Sequence, residues 1–136
     1  MNRRCEILVV DDEPIVGERL LTTLTRDGHI VEALSDPREA LERIRNKSFD
    51  IVVTDIRMGE IDGLEVMSAV LDRSPRTKVI MITGYATLEL ARESLTKGAF
   101  DFIAKPFKLG EIRKTIGKAI EDLDLDDDSQ PSGEES

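Results

Sequence analysis

Ile7-Leu8-Val9-Val10-Asp11-Asp12-Glu13-Pro14 contains a strand, its polar end and the start of a helix. The four apolar residues do not alternate with polar ones, as expected of a strand covered on both faces. Pro14 lacks an N–H and has its φ fixed near the helical value, so it suits a first helical turn. The helix it opens is expected to run to about Asp27, with Gly28 as its stop.

The same unit recurs along the chain. A second strand is expected at Ile30 to Leu34, followed by Ser35-Asp36-Pro37 as a cap and a helix through Lys47. A third strand, Ile51-Val52-Val53-Thr54, ends on Asp55; a loop from Ile56 to Asp62 leads to a helix from about Gly63 to Arg73, broken by Ser74-Pro75. A fourth strand, Val79-Ile80-Met81-Ile82, ends on Thr83-Gly84 and precedes a helix from about Ala86 to Lys97. A fifth, from Phe100 to Ala104, ends on Lys105-Pro106. The last helix carries Leu109, Ile112, Ile116, Ala119, Ile120 and Leu123 at spacings of three and four, one apolar stripe.

Five strands alternating with five helices predict an α/β fold, a doubly wound five-stranded parallel sheet of the (βα)5 flavodoxin-like type. Such sheets commonly have the strand order 2-1-3-4-5, with the ligand site between strands 1 and 3. The expected domain spans 1–123. From Asp124 the chain turns acidic and loses apolar periodicity, so 124–136 is expected to be a disordered acidic tail.

The 136 residues suit one hydrophobic core. The net charge of -9 is concentrated in residues 121–136, which hold eight of the 28 acidic residues and no Lys or Arg. The body is nearly neutral and lacks the clustered bases that nucleic-acid binding needs. No apolar run is long enough to span a membrane. The apolar run near the N-terminus is too short for a secretory signal. One cysteine, Cys5, cannot form an internal disulfide, which fits a reducing cytosol. The expected location is cytoplasmic.

In this fold ligands bind beyond the carboxyl ends of the strands. There the sequence places Asp11 and Asp12, Asp55, Thr83 and Lys105. Neighbouring strands are about 4.8 Å apart, so three carboxylates crowd one pocket. Two charges about 4 Å apart repel by roughly 4 kcal/mol at an effective dielectric of 20. A hard divalent cation reverses that repulsion, and carboxylates with room for water suit Mg²⁺. With Lys105 and the Thr83 hydroxyl, the set can stabilise a transferring phosphoryl group, and a carboxylate can accept it covalently.

Val9-Val10-Asp11-Asp12-Glu13-Pro14, Thr54-Asp55-Ile56-Arg57-Met58, Ile82-Thr83-Gly84-Tyr85-Ala86 and Gly98-Ala99-Phe100-Asp101-Phe102-Ile103-Ala104-Lys105-Pro106-Phe107 resemble the receiver domain of two-component response regulators over about residues 5 to 122. The third and fourth of these stretches are most similar to receivers of the nitrogen-regulatory, sigma-54-activator type. The resemblance implies Asp55 as phosphoacceptor. It implies a Mg²⁺ site of Asp12 directly, Asp11 largely through water, Asp55, and the backbone carbonyl of Arg57. Lys105 would pair with Asp55 or the phosphoryl oxygens, Thr83 would move to hydrogen-bond the phosphoryl group, and Phe102 would be the aromatic switch. Lys105-Pro106 resembles the family's cis bond. Gly59 departs from the family, which usually has proline there. Arg57 and Tyr85 fall where the family tunes self-hydrolysis.

Each residue also has a plainer reading. Asp12 could cap the first helix. Lys105 could be a surface lysine and Thr83 a strand-end residue. Phe102 is as readily core as switch. Cys5, Met58 and Met67 suit packing, His29 a solvated turn, and Tyr85 a partly exposed loop near the pocket.

The function implied is a phosphorylation-dependent switch: a sensor histidine kinase donates to Asp55, and the face of helix 4, strand 5 and helix 5 changes to control an unidentified downstream effector. Such a chain would catalyse its own phosphorylation and dephosphorylation alone and would not be an enzyme on other substrates. A phosphorylation-linked homodimer stays open as its output. An aspartyl-intermediate phosphatase is the alternative, but the expected Asp-x-Asp-x-Thr is replaced by Asp11-Asp12-Glu13-Pro14-Ile15. A phosphorylation-independent docking module is a third reading, against which all five family positions are filled.

Overall fold

A computed structural model describes residues 3–129. Five strands, β1 (Glu6–Val10), β2 (Ile30–Leu34), β3 (Ile51–Asp55), β4 (Lys78–Thr83) and β5 (Asp101–Ala104), form one sheet in the order β2-β1-β3-β4-β5. All four pairings are parallel. The helices are α1 (Pro14–Arg26), α2 (Pro37–Asn46), α3 (Gly63–Arg73), α4 (Leu88–Thr96) and α5 (Leu109–Ser129). The expected doubly wound α/β architecture and strand order are both present.

Side chains alternate across the sheet. Ile7 and Val9 of β1, Ile51 and Val53 of β3, Ile80 and Ile82 of β4, and Ile103 of β5 join the core under α1 and α5. Leu8, Val10, Val52, Val79 and Met81 join the core under α2, α3 and α4. Both layers are buried, so the central strands β1, β3 and β4 are apolar on both faces. This parity also decides which way each strand-end residue points.

Local signals explain most boundaries. Pro37 follows Asp36, whose side chain accepts a hydrogen bond from the Arg38 N–H. Asp62 and Glu65 form a reciprocal capping box at α3. The loop expected between Ile56 and Asp62 contains a two-stranded ribbon, Arg57–Met58 paired with Ile61–Asp62. Gly59 turns that ribbon at φ +81°, a conformation closed to proline, whose ring holds φ near −65°. The fourth helix starts as a tight turn, Tyr85–Thr87, before α4 proper.

Two expectations are corrected. Helix α5 passes the proposed tail boundary at Asp124 and runs to Ser129, because bases from the opposite end of the sheet hold its acidic turns: Lys78 Nζ lies 2.7 Å from Asp122 and 2.8 Å from Asp126, and Arg3 lies 3.1 Å from Asp124. The rest of the expected tail, 130–136, lies outside the described residues. His29 is buried, not solvated, because its Nδ1 accepts a hydrogen bond from the Cys5 N–H at 3.1 Å. Burial lowers its pKa, opposed by the nearby Asp27 charge. Cys5, Met58 and Met67 are core residues, and burial pushes the Cys5 thiol up to about 11. Among the described residues no helix is long and apolar enough to cross a membrane.

Candidate phosphoryl and metal site

The polar cluster sits where the chain reverses direction across the sheet, between β1 and β3. Val10 is paired with Thr54, so the next residues, Asp11 and Asp55, leave adjacent strands side by side. Both continue the parity of the α1/α5 face, and so does Lys105, two residues beyond Ile103. Lys105 is positioned by its N–H, which donates to the Thr83 carbonyl at 2.7 Å, and it precedes a cis Pro106.

Asp11, Asp12 and Asp55 each bring a carboxylate oxygen within 4.8 Å of the others. At that separation each pair repels by roughly 3–4 kcal/mol at an effective dielectric of 20. Asp11 and Asp55 are buried, whereas Asp12 is open to solvent. One oxygen of Asp11 accepts the Glu13 N–H at 2.9 Å. The other, Oδ2, is buried, with Lys105 Nζ 3.0 Å away as its ion-pair partner. Burial raises the pKa of Asp11, and the Glu13 N–H and Lys105 partly offset that. Three carboxylates within 4.8 Å of one another, two of them buried and sharing a single lysine, fit a hard divalent cation. Arg57 opens the ribbon two residues past Asp55, and its side chain is exposed, so any part in such a site would fall to its backbone.

Lys105 Nζ contacts three carboxylates: Asp55 Oδ2 at 3.0 Å, Asp11 Oδ2 at 3.0 Å and Glu13 Oε1 at 2.6 Å. Burial works against its charge, but the three carboxylates outweigh it and raise its pKa. Lys105 is therefore a fixed cation at neutral pH. Glu13 was not singled out from the sequence; its place in an acidic run before Pro14 gives no hint of a partner 92 residues away.

Thr83 is set apart from this group. It has the parity of Val79 and Met81 and so faces α4. Its hydroxyl is 2.6 Å from the Thr87 hydroxyl and donates to the Gly84 carbonyl at 3.0 Å. Phe102 shares that face and is half-buried against the same core. Tyr85 is 96% exposed, more open than expected. Asp11, Asp12, Asp55 and Lys105 are thus gathered on one side, and Thr83 and Phe102 lie on the other.

Gly63 is a second residue the sequence did not single out. A Cβ there would lie 2.5 Å from the Asp55 carbonyl oxygen and 2.9 Å from the Ile56 Cα. Its N–H donates to the Ile56 carbonyl at 2.7 Å. The start of α3 therefore closes directly on the backbone that carries Asp55.

Residues 7–117 match the family described as the response regulator receiver domain. Among curated relatives, the response regulator protein PilR of Pseudomonas aeruginosa is 38% identical over 117 residues, covering 86% of this chain and 26% of its own length. The DNA-binding transcriptional regulator NtrC of Proteus hauseri is 31% identical over 114 residues, covering 84% of this chain and 24% of its own. The chain therefore spans about a quarter of the length of such relatives. Among solved structures, the receiver domain of NtrX from Brucella abortus superposes with a TM-score of 0.78 at 32% identity, covering 85% of this chain and 98% of that one. The chain belongs to the response regulator receiver family, whose members accept phosphate from sensor kinases and signal by phosphorylation.

Proposed function

We propose that Asp55 is the phosphoacceptor of a signalling switch that works with Mg²⁺. The observation that carries this reading is the meeting of Asp55 with Lys105 at 3.0 Å inside a three-carboxylate cluster. Asp11, Asp12 and Asp55 would hold the ion, with the Arg57 carbonyl as a further ligand, and the ion when bound supplies positive charge against the developing phosphoryl charge. A carboxylate oxygen of Asp55 attacks phosphorus, and the P–N bond of the donor phosphohistidine breaks. The imidazole departs with the bond pair and takes up a proton. Lys105, held charged by its neighbours, pairs with the phosphoryl oxygens. The chain turns over its own phosphoryl group alone.

The signal would leave through Thr83. A phosphoryl group on Asp55 offers its hydroxyl an acceptor stronger than the Gly84 carbonyl, and turning toward it would break the contact with the Thr87 hydroxyl. Thr83 would give up that contact, and Phe102 and the α4–β5–α5 face would follow. The kinase and the effector that reads this face are unidentified.

The test is intact mass after treatment with phosphoramidate and Mg²⁺. Wild type should gain one phosphoryl group, and Asp55→Asn should gain none. An equal adduct on Asp55→Asn would move the acceptor elsewhere.

A further inference from the structure

The shortest contact of Lys105 is to a carboxylate that the phosphoryl reaction does not use. Glu13 Oε1 lies 2.6 Å from Nζ, closer than Asp55 or Asp11. Glu13 stands outside the Asp11–Asp12–Asp55 cluster. It occupies the position before α1, yet its side chain makes no capping bond. Its side chain is 61% exposed, against 11% for Asp55 and 0% for Asp11.

An ammonium has three donors, and here three carboxylates surround it, Glu13 at 2.6 Å and Asp55 and Asp11 each at 3.0 Å. A phosphoryl group on Asp55 brings new oxygens that Lys105 has to meet. Asp11 is buried and fixed by the Glu13 N–H, so it cannot move away. Glu13 is exposed and can turn into water at little cost. It is the partner the lysine can exchange.

We infer that Glu13 is a positioning residue: it holds Lys105 in the resting site and releases it to the phosphoryl group when Asp55 is modified. This rests on Asp55 being the acceptor. Glu13 then slows modification slightly, in return for a lysine kept in place.

The experiment follows adduct formation from phosphoramidate with Mg²⁺ by intact mass, for wild type, Glu13→Gln, Lys105→Ala and the double variant. Salt at about 0.3 M brings the screening length well below 10 Å, which suppresses the general effect of removing a charge. Glu13→Gln should react roughly two- to fivefold faster than wild type, the factor an exposed lysine–carboxylate pair is worth. In the Lys105→Ala background the same change should have no effect, because Glu13 acts through the lysine. Binding of fluoroberyllate with Mg²⁺, measured by calorimetry, gives a readout without chemistry and should follow the same pattern. The unfolding midpoint of Glu13→Gln should fall by no more than the loss of one exposed ion pair.

Equal rates and affinities for wild type and Glu13→Gln would overturn the role of Glu13 and leave the acceptor reading standing. Equal acceleration with and without Lys105 would also overturn it, by making Glu13 a general charge. A wild type that takes no adduct and binds no fluoroberyllate would overturn the acceptor reading, and the Glu13 role with it.

Discussion

Gly63 has no side chain, yet it fixes where Asp55 sits. The atoms a Cβ would strike, the Asp55 carbonyl oxygen and the Ile56 Cα, are both backbone and cannot swing aside. Gly63→Ala should therefore push the acceptor strand away from α3. We expect a loss of about 1–3 kcal/mol in urea unfolding, the usual cost of overpacking. We also expect phosphoramidate labelling of Asp55 to slow roughly fivefold or more, since small misplacements of a reacting group are costly. Labelling and stability both at wild-type levels would show that the loop absorbs the methyl group. The other site residues were easier to find. Asp11, Asp12, Asp55 and Lys105 each end an apolar run, so sequence position alone put them at one edge of the sheet. Gly63 and Glu13 act through contacts that no local pattern encodes. His29 was missed for a similar reason: its burial depends on a hydrogen bond from Cys5, 24 residues earlier.

Elements were legible where apolar periodicity was strong, and least so where charge had to be matched across the fold. The second strand and the third helix fall at their expected bounds, because Pro37 and the Asp62 cap leave the backbone few choices. The end of α5 did not. Its acids lie at a helix C-terminus, where the helix dipole disfavours negative charge, and no base occupies the last turn. Read alone, that stretch looks unable to stay helical. Lys78, at the start of β4, reaches both Asp122 and Asp126, one helical turn apart, while Arg3 reaches Asp124. Lys78 is mostly buried and its pKa is raised, the pull of the two aspartates outweighing burial. Lys78→Met should leave these aspartates without their cation. We expect a loss of about 0.5–1.5 kcal/mol, discounted because both acids are nearly half exposed. Amide hydrogens of residues 122–129 should exchange faster, with the site end of the molecule unchanged. If their exchange is unaffected, helix propensity alone carries the end of α5.

At the scale of the whole molecule, side-chain parity divides the work between the two faces of one sheet. Asp11, Asp55 and Lys105 lie on the α1/α5 side, and Thr83 and Phe102 lie on the α4 side. The sequence carried this division in its alternating positions, but it becomes visible only once strand register aligns Asp55 with Ile82 and Thr83 with Ala104. Chemistry on one face then needs a hydroxyl at the rim to reach the other. Thr83 is fully buried, and its hydroxyl already holds the start of α4 through Thr87. Thr83→Ala should separate the two events. The buried contact to Thr87 is lost, at about 1–2 kcal/mol of stability. Asp55 should still take a phosphoryl group, within roughly tenfold of the wild-type rate, since the carboxylate cluster and Lys105 are untouched. What should disappear is the response of the far face. Phosphorylated wild type should show altered amide exchange across residues 84–96 and at Phe102, whereas the phosphorylated variant should match its own unmodified form. An undiminished response in Thr83→Ala would mean that the signal crosses the sheet by another path, and that the Thr83–Thr87 contact is structural alone.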